Sequence, residues 1–245
     1  MKQTELIMGM PITVEIVDSN DTNLLADTFT FFQEIDDRYS TYKPQSEISS
    51  INNGLPKKSW SAEMKHVMRL CEQTKQQTNG YFDINHDGKL DPSGLVKGWA
   101  IWQASLRLLD HGLKHFYIEA GGDIQAHGNN AEHQPWIVGI RNPFNPDQII
   151  KRLSVKNQGV ATSGTYIRGQ HIYNPHYPDT ALKGITSLTV IGKNIYEADR
   201  FATATFAMGK PGIRFIEDTK YLEGYMVDDK GIATFTTGFE EYIYV

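Results

Sequence analysis

The chain has 245 residues and a mass of 27.7 kDa, which suits one large domain or two small ones. Its 40% hydrophobic and 22% charged residues are an ordinary globular balance, which excludes a disordered or collagen-like chain. The formal charge of −5 argues against a general nucleic-acid or anionic-membrane binder, and a single cysteine, Cys71, excludes an internal disulfide and a multi-cysteine zinc site.

The sequence predicts neither membrane insertion nor export. It has no run of about 18 apolar residues, so we expect no transmembrane helix. Residues 1–5 lack the basic and then apolar stretch of a signal peptide. We therefore expect a soluble protein of the reducing cytoplasm, unless an export signal or lipid anchor was removed from this sequence.

Hydrophobic periodicity predicts the elements of the first half of the chain. Residues 6–17 predict a strand with a break at Met8-Gly9, where glycine favours a bend. Three helices are predicted from apolar residues at helical spacing, over residues 22–39, over 61–78, and from Asp91-Pro92-Ser93 to about 109. Cys71 falls on the apolar face of the second helix, so we expect it to be buried in the core.

The second half of the chain predicts mainly short strands. Their hairpin spacing favours an α+β fold, with mainly antiparallel sheets packed against helices, over a doubly wound parallel sheet. Because we find no linker and no repeat, residues 1–245 are predicted to form one compact domain. The predicted strands cover residues 115–119, 123–128, 135–140, 149–155, 160–163 and 187–192, and helices over 196–208 and 212–219 precede a terminal pair of strands.

Two turn-like motifs resemble binding sites for calcium and for a dinucleotide, but neither has the full pattern. Residues 83–88 imitate the start of an EF-hand loop, but position twelve is Gly94 instead of a bidentate Glu, so we interpret them as a polar turn between two short extended runs. Gly121-Gly122-Asp123 lacks the third glycine and the helix of a dinucleotide-binding motif. Its glycines let the backbone pass close to a ligand or, as we favour for the motif alone, to a neighbouring strand.

Residues 91–98 place an acidic residue before a helix and a lysine within it. Asp91 precedes the first turn, where unpaired N–H groups and the positive end of the helix dipole gather. Lys97 lies in a run that is otherwise apolar or small, so its ammonium must reach an anion or a cleft. The structural alternative is that Asp91 caps the helix and Lys97 extends to solvent.

Two later segments could serve phosphate and metal chemistry. Residues 161–171 combine hydroxyl groups with Arg168 and His171, a set that suits phosphate oxygens but is also common in plain turns. Asp199 and Thr203 share one face of a predicted helix and offer hard oxygen ligands of the kind that Mg²⁺ takes alongside phosphate and water. Alternatively, Asp199 favours the helix N-terminus and Thr203 bonds to the carbonyl four residues earlier.

In their order, these motifs resemble those of the ApbE-type flavin transferases, the FAD:protein FMN transferases. The resemblance covers roughly residues 6–210, and many motifs in one order are far more specific than any single motif. The segments that carry it are, in chain order, Met8-Gly9, Ser40-Thr41-Tyr42, Ser46-Glu47-Ile48, Asn52, Gly80-Tyr81-Phe82-Asp83, residues 91–98, Gly121-Gly122-Asp123-Ile124, Ala161-Thr162-Ser163-Gly164, His171-Ile172-Tyr173-Asn174-Pro175, Glu197-Ala198-Asp199 and Thr203.

The resemblance implies a T-fold-like domain and a defined reaction. Members of this family bind FAD with Mg²⁺, split its diphosphate, transfer FMN to a Thr or Ser hydroxyl of a target protein, and release AMP. The implied partners are FAD and an acceptor flavoprotein that carries a Thr/Ser flavinylation motif, and no nucleic acid. The choice between Mg²⁺ and Mn²⁺ stays open.

The resemblance also implies roles for individual residues. Asp199 and His171 are the expected catalytic residues, and His171 would help to deprotonate the acceptor hydroxyl. Metal ligands are expected at Gly94, Asp199, Ala202 and Thr203, with Gly94 and Ala202 acting through their carbonyl oxygens. The residues expected to line the FAD site are Met8, Tyr42, Tyr81, Phe82, Asp83, Asp91, Lys97 and Tyr173.

The chain also departs from the family pattern. Many members carry a longer insertion between the motifs at Asp83 and Asp91, which are close together here, so part of the usual nucleotide wall is missing or rebuilt. Met10 stands where the familiar motif has a threonine after Met-Gly. Most members are exported or lipid-anchored, so the absence of both signals suggests an intracellular target or a removed leader.

Other functions compatible with these residues are an FAD pyrophosphatase that releases FMN and AMP, and a non-catalytic module that holds FAD intact. A metal-independent interaction protein is the least favoured, because it leaves Asp199, Thr203 and His171 unexplained. For the transferase we expect Asp199→Ala to abolish turnover with the fold largely intact, since the residue is predicted at the start of a helix.

Overall fold

An eight-stranded antiparallel sheet forms the centre of the protein, and the computed structural model describes residues 1–165 and 172–244. The strands are β1 (Lys2–Ile7), β2 (Met10–Ile16), β3 (Asn85–His86), β4 (Lys89–Leu90), β5 (Phe116–Ala120), β6 (Asp123–His127), β7 (Trp136–Asn142), β8 (Asn145–Val155), β9 (Gly159–Gly164), β10 (Ser187–Gly192), β11 (Leu222–Val227) and β12 (Ala233–Phe235). The helices are α1 (Thr22–Tyr39), α2 (Glu47–Asn52), α3 (Ala62–Gln77), α4 (Ser93–Asp110), α5 (Ile195–Ala207) and α6 (Gly212–Glu217), with 3₁₀ turns at Lys57–Ser59 and Phe239–Tyr242.

The order of strands in the sheet is β1-β2-β5-β6-β9-β10-β11-β12, and every neighbouring pair is antiparallel. Strands β6 and β9 pair through Ile124–Val160 and Gln125–Gly159, a much shorter ladder than the one that joins β9 to β10. The sheet therefore consists of two four-stranded halves joined along a short seam. The α+β prediction with antiparallel sheets is confirmed.

The middle of the sheet is buried on both faces, whereas the edge strands β1 and β12 are largely exposed. The helices cover one face and form the larger core with residues such as Val190, and the hairpin of β7 and β8 covers part of the other face, where Ile191 points. Successive side chains in a strand point to opposite faces, so β10 contributes to both cores and all six of its residues are buried.

The helices begin and end close to their predicted positions because the local capping signals are used. Asp21 accepts the N–H of Asn23 at the start of α1, and Ser61 accepts the N–H of Met64 at the start of α3. Gly80, with a φ of +82°, donates its N–H to the Lys75 carbonyl at 2.8 Å and closes α3. Cys71 is 2% exposed, which confirms the prediction of a buried thiol.

Two predictions at element boundaries are corrected by the structure. The single broken strand predicted over residues 6–17 is a hairpin, since Met8 and Gly9 both have a positive φ and form a two-residue turn between β1 and β2. The helix α2 was not predicted, because six residues are too few for a helical period to show. The predicted polar turn is present as Asp87-Gly88, between the short strands β3 and β4.

No helix within residues 1–165 and 172–244 is both long enough and apolar enough to cross a membrane.

The turn after β11 contains a carboxylate whose ionisation should stabilise the fold. The Lys210 ammonium, 2.8 Å away, and the N–H groups of Ile232 and Lys230 lower the pKa of Asp228 to about 2. A depressed folded-state pKa means that this contribution is present above the ordinary Asp pKa and is lost as the pH falls towards 2.

We therefore expect Asp228→Asn to lower the midpoint of urea unfolding at pH 7, and this difference from the wild type to shrink as the pH falls from about 4 to about 2. Asp229→Asn, which removes a carboxylate at the exposed neighbouring position, is the matched control and should lower the midpoint at pH 7 by less than Asp228→Asn. A gap between Asp228→Asn and the wild type that is independent of pH would contradict the assignment.

Candidate active site

A buried group of charged side chains lies where α4 and α5 meet the seam between β6 and β9. Lys97 comes from α4, Asp123 from β6 and Asp199 from α5, and the Thr162 N–H of β9 donates to Asp123 Oδ1 at 3.0 Å. The turns at Met8-Gly9 and Gly121-Gly122 and the end of β9 at Gly164 lie at the same end of the sheet, because the pairing of β2, β5, β6 and β9 is antiparallel.

Helices α4 and α5 approach each other closely because α4 has glycines at two contact positions. Gly98 lies against Asp199, and Gly94 lies against Thr203 one turn away on each helix. A Cβ atom at position 98 would lie 2.5 Å from the Asp199 Cβ, a distance at which something must shift. The glycines therefore let the side chains of Asp199 and Thr203 reach the backbone of α4.

Asp199 is held by the backbone of the neighbouring helix. It is 3% exposed, and its Oδ2 accepts the Gly98 N–H at 2.8 Å. Thr203 Oγ1 lies 3.4 Å from the Gly94 carbonyl oxygen, so the hydroxyl does not simply bond back to its own helix as the structural alternative supposed. Since a carbonyl oxygen has two lone pairs, Gly94 O could accept a cation as well as this hydroxyl.

One ammonium group serves two buried carboxylates. Lys97 forms an ion pair with Asp123, and its Nζ lies 3.8 Å from Asp199 Oδ1. Burial raises the pKa of Asp199, the Lys97 ammonium lowers it, and the neighbouring Asp123 raises it again, so the net shift is upward. With both carboxylates ionised these three side chains carry a net charge of −1, which a bound cation would neutralise.

Two more predicted site residues lie beside this group. Phe82 is 3% exposed, and its ring edge lies within 3.5 Å of the position that a Gly94 Cβ would take. Ala202 precedes Thr203 on α5 and is fully buried. Because its methyl side chain has no polar atom, any role in binding would fall to its carbonyl oxygen. The structure thus brings Gly94, Lys97 and Asp199 together with Thr203.

A second set of predicted site residues gathers around the hairpin of β3 and β4. Asp83 forms an ion pair with Lys75 at 2.7 Å, and the Tyr173 hydroxyl donates to the Asp83 carbonyl at 3.2 Å. The rings of Tyr81 and His176 meet edge to face, with centroids 4.5 Å apart. Residues distant in sequence therefore form one aromatic and acidic wall next to the start of α4.

The remaining predicted site residues are placed differently. Asp91 Oδ1 accepts the Ser93 N–H at 3.0 Å just before α4, but the N-cap position of α4 is Pro92, so Asp91 does not cap the helix as the structural alternative supposed. Met8 occupies the turn between β1 and β2, and Tyr42 is 94% exposed and contributes little to packing. His171 lies outside the described residues.

Sequence reasoning did not assign a role to Asp123 or to the Gly98 amide. Asp123 follows the Gly121-Gly122 turn, whose glycines have φ values of +58° and +95° and join β5 to β6. A Cβ atom at Gly122 would meet nothing within 4 Å, so the close approach to a neighbouring strand that we favoured is not seen there. The signal for Asp123 was an acidic residue at the start of a strand, which becomes informative only once its exposure of 1% is known. The Gly98 amide became a candidate only when α5 was placed against it.

Within residues 1–165 and 172–244, no three His, Cys, Asp or Glu side chains are grouped so that they could hold a metal ion. A cation at Asp199 would therefore depend on hydroxyl, carbonyl and substrate oxygens for its other ligands, which is the usual pattern for Mg²⁺ at phosphate sites.

Comparison with known proteins accounts for most of the chain. The sequence model of the ApbE family matches residues 8–87 and 85–226. The chain belongs to the ApbE family. Curated relatives in this family include an FAD:protein FMN transferase of Vibrio cholerae, 26% identical over 162 residues, which are 62% of this chain and 47% of the relative. Another, from Buchnera aphidicola, is 32% identical over 129 residues, 49% of this chain and 38% of the relative.

The chain thus spans about half the length, or less, of these curated relatives. Solved ApbE structures match its fold over almost the whole chain: the flavin transferase ApbE from Vibrio cholerae has a TM-score of 0.88 at 20% identity, covering 99% of this chain and 98% of that one. The ApbE protein from Thermotoga maritima has a TM-score of 0.87 at 19% identity, covering 100% and 99%. The family and fold predictions are confirmed.

One premise about Asp199 is wrong. The sequence placed it at a helix start and not in the core, but the structure buries it within α5, with Oδ2 bonded to Gly98. Removing its side chain would leave a buried N–H unpaired, so Asp199→Ala should lower stability as well as any activity. Asp199→Asn is the better substitution, because it keeps the shape and an oxygen for that N–H.

The close approach of α4 and α5 reverses the usual effect of replacing glycine in a helix. Alanine in a helix interior is normally about 1 kcal/mol more favourable than glycine. At position 98 the new Cβ would meet Asp199 Oδ2 at 2.8 Å and the Ile195 carbonyl oxygen at 2.9 Å. We therefore expect Gly98→Ala to lower Tm, measured by circular dichroism.

Gly94→Ala is the matched comparison on the same helix. Its nearest contacts, at 3.3 Å and 3.5 Å, are side-chain carbons of Thr203 and Phe82, which can shift slightly, so its effect should be smaller. A Gly98→Ala protein that melts above the wild type would show that the two helices are farther apart than described.

Proposed function

We propose that the protein is a Mg²⁺-dependent FAD:protein FMN transferase, with Mn²⁺ as a substitute metal. It would split FAD, attach FMN through a phosphoester bond to a Thr or Ser hydroxyl of an acceptor protein, and release AMP. Membership of the ApbE family supports this proposal, and so does the activity for which the curated relatives are named, FAD:protein FMN transfer.

The observation that carries the proposal is the convergence of Asp199, Thr203 and the Gly94 carbonyl beside Lys97. Thr203 Oγ1 and Gly94 O are 3.4 Å apart, close to the separation of about 3 Å between neighbouring ligand oxygens around Mg²⁺. With both carboxylates ionised, the net charge of −1 on Lys97, Asp123 and Asp199 also suits a cation. The donor set therefore fits a hard divalent metal held partly by the substrate.

The roles of these residues follow from their charges and positions. Asp199, Thr203 and the carbonyl oxygens of Gly94 and Ala202 would hold the metal, and the Lys97 ammonium would lie beside the diphosphate. When bound, the metal would neutralise the charge that develops on the diphosphate as its P–O bond breaks. Because the side chains of Asp199 and Lys97 are largely buried, they are pre-oriented and little reorganisation is needed.

In the proposed reaction the acceptor hydroxyl oxygen bonds to the phosphorus of the FMN half. The bond from that phosphorus to the bridging oxygen breaks, and AMP leaves with the bridging oxygen. The hydroxyl proton must pass to a base, and His171 is the residue that we propose for this role, by resemblance to the family.

The wall around the β3–β4 hairpin is the proposed nucleotide side of the site. Tyr81 and Tyr173 offer aromatic surface for flat rings, and the carboxylates of Asp83 and Asp91 can accept hydrogen bonds from the nucleotide. Met8 and Tyr42 are proposed to complete this side, with Phe82 supporting it from the core.

The test is incubation of the purified protein with FAD, Mg²⁺ and an acceptor protein that carries the Thr/Ser motif. We expect flavin fluorescence that stays with the acceptor after denaturation, an acceptor mass increased by one FMN, and release of AMP. Losing an outer-shell partner of a metal lowers metal affinity or activity by about 10–100-fold. Because Asp199 is proposed as a direct ligand, Asp199→Asn should lower the labelling rate by more than about 100-fold.

The same assay separates the competing functions. Free FMN and AMP without labelled acceptor would identify a pyrophosphatase, and FAD that survives Mg²⁺ unchanged would identify a binding module. Either result would reject the transferase. An Asp199→Asn protein with near-normal labelling would instead reject Asp199 as a metal ligand.

Thr203 should contribute less than Asp199, because water can replace one neutral ligand. We expect Thr203→Val, which keeps the shape of the side chain, to raise the Mg²⁺ concentration needed for half-maximal rate, with a smaller loss of the maximal rate. Thr205→Val is the matched control: its hydroxyl is buried on the same helix and bonds to the Phe201 carbonyl, away from the site. If both variants respond equally to Mg²⁺, Thr203 is not a ligand.

A further inference from the structure

The group formed by Lys97, Asp123 and Asp199 has one ammonium for two carboxylates. Lys97 contacts Asp123 directly, whereas Asp199 Oδ1 lies 3.8 Å from its Nζ, beyond ordinary hydrogen-bond distance. An ammonium that moved fully onto Asp199 would repel a divalent cation at the same carboxylate. The carboxylate that Lys97 contacts therefore decides whether Asp199 is available to a metal.

Asp123 is fixed in place from the strand side. It is 1% exposed, and its Oδ1 accepts the Thr162 N–H at 3.0 Å, across the seam between β6 and β9. Thr162 Oγ1 in turn lies 2.9 Å from Thr189 Oγ1 on β10. The other carboxylate oxygen of Asp123, Oδ2, faces Lys97. Asp123 is thus an immobile counter-charge attached to the sheet.

Asp199 is fixed from the helix side in a similar way. Its Oδ2 accepts the Gly98 N–H, from the residue that follows Lys97 on α4. Each carboxylate therefore uses one oxygen for a backbone N–H, and the two remaining oxygens, Asp123 Oδ2 and Asp199 Oδ1, compete for Lys97. In the structure Asp123 holds the shorter contact.

We propose that Asp123 is a positioning residue that keeps the Lys97 ammonium away from Asp199, so that Asp199 Oδ1 stays available to a divalent cation. This inference rests on the cation site of the proposed function and adds the residue that distributes charge within it. Asp123 acts through Lys97 and needs no contact with the metal.

Mn²⁺ binding to the full chain tests the proposal, because Mn²⁺ accepts the same oxygen ligands as Mg²⁺ and its free concentration can be measured by electron paramagnetic resonance. It is measured without and with FAD, since substrate oxygens complete the proposed ligand set, and FAD without protein is the blank. Asp123→Asn keeps the shape and the acceptor for the Thr162 N–H and removes only the charge that holds Lys97. We expect its Mn²⁺ affinity to be about 10–100-fold weaker, the usual cost of losing an outer-shell partner.

The decisive variant is the double substitution Asp123→Asn with Lys97→Met. Without the ammonium nothing competes for Asp199, so Mn²⁺ affinity should recover to at least the wild-type value. Lys97→Met alone leaves Asp123 untouched and should bind Mn²⁺ at least as tightly as the wild type. Circular dichroism of each variant, compared with the wild type, identifies any effect of misfolding.

The outcomes separate this inference from the cation site itself. Wild-type protein that binds no Mn²⁺ even with FAD present would overturn both the site and the inference. If the wild type binds and Asp123→Asn binds equally well, only the inference fails. Weak binding by Asp123→Asn that the second substitution does not restore, or weaker binding by Lys97→Met alone, would show that Asp123 does not act through Lys97 and would also overturn it.

Discussion

The site depends on one constraint, which is that two carboxylates are withdrawn from water beside a single lysine. Ions taken out of water cost several kcal/mol each unless charges and hydrogen bonds compensate them. Here the compensation for Asp123 and Asp199 comes from Lys97 and from the N–H groups of Thr162 and Gly98. These groups belong to α4, α5, β6 and β9, so the site can form only when both halves of the sheet and both helices have assembled.

The glycines that let α4 pack against α5 also shape the candidate site. Gly94 and Gly98 let the two helices approach, and the same glycines expose a carbonyl oxygen and an N–H to Thr203 and Asp199. Larger residues would force the helices apart and remove both contacts. When both carboxylates are ionised, Lys97, Asp123 and Asp199 carry one more negative than positive charge, which a bound cation would balance.

The proposed nucleotide side of the site lies around a compact hairpin. The turn at Asp87-Gly88 closes β3 against β4, and Tyr173 joins this hairpin to a distant part of the chain through the Asp83 carbonyl and the ring of His86. The short link from Asp83 to Asp91 still brings the acidic and aromatic residues to the start of α4. The fold agrees with that of solved ApbE structures over almost the whole chain.

The sequence by itself determined the elements and the family. Apolar periodicity, capping residues such as Asp21 and Ser61, and glycine turns act over a few residues, so they can be recognised without knowing what packs against what. The hairpin at Met8-Gly9 and the six-residue α2 escaped because a turn with positive φ and a very short helix leave no period. Motif order was enough to name the family, since it samples nearly the whole chain.

Only the tertiary structure decided how the site distributes charge. The burial of Asp199, the partner chosen by Lys97 and the role of Asp123 depend on contacts between α4, α5 and the sheet that are many residues apart in sequence. A carboxylate at a helix start looks the same in sequence whether it faces water or a neighbouring helix. The difference is the dielectric environment and the nearest N–H group, and both are set by packing.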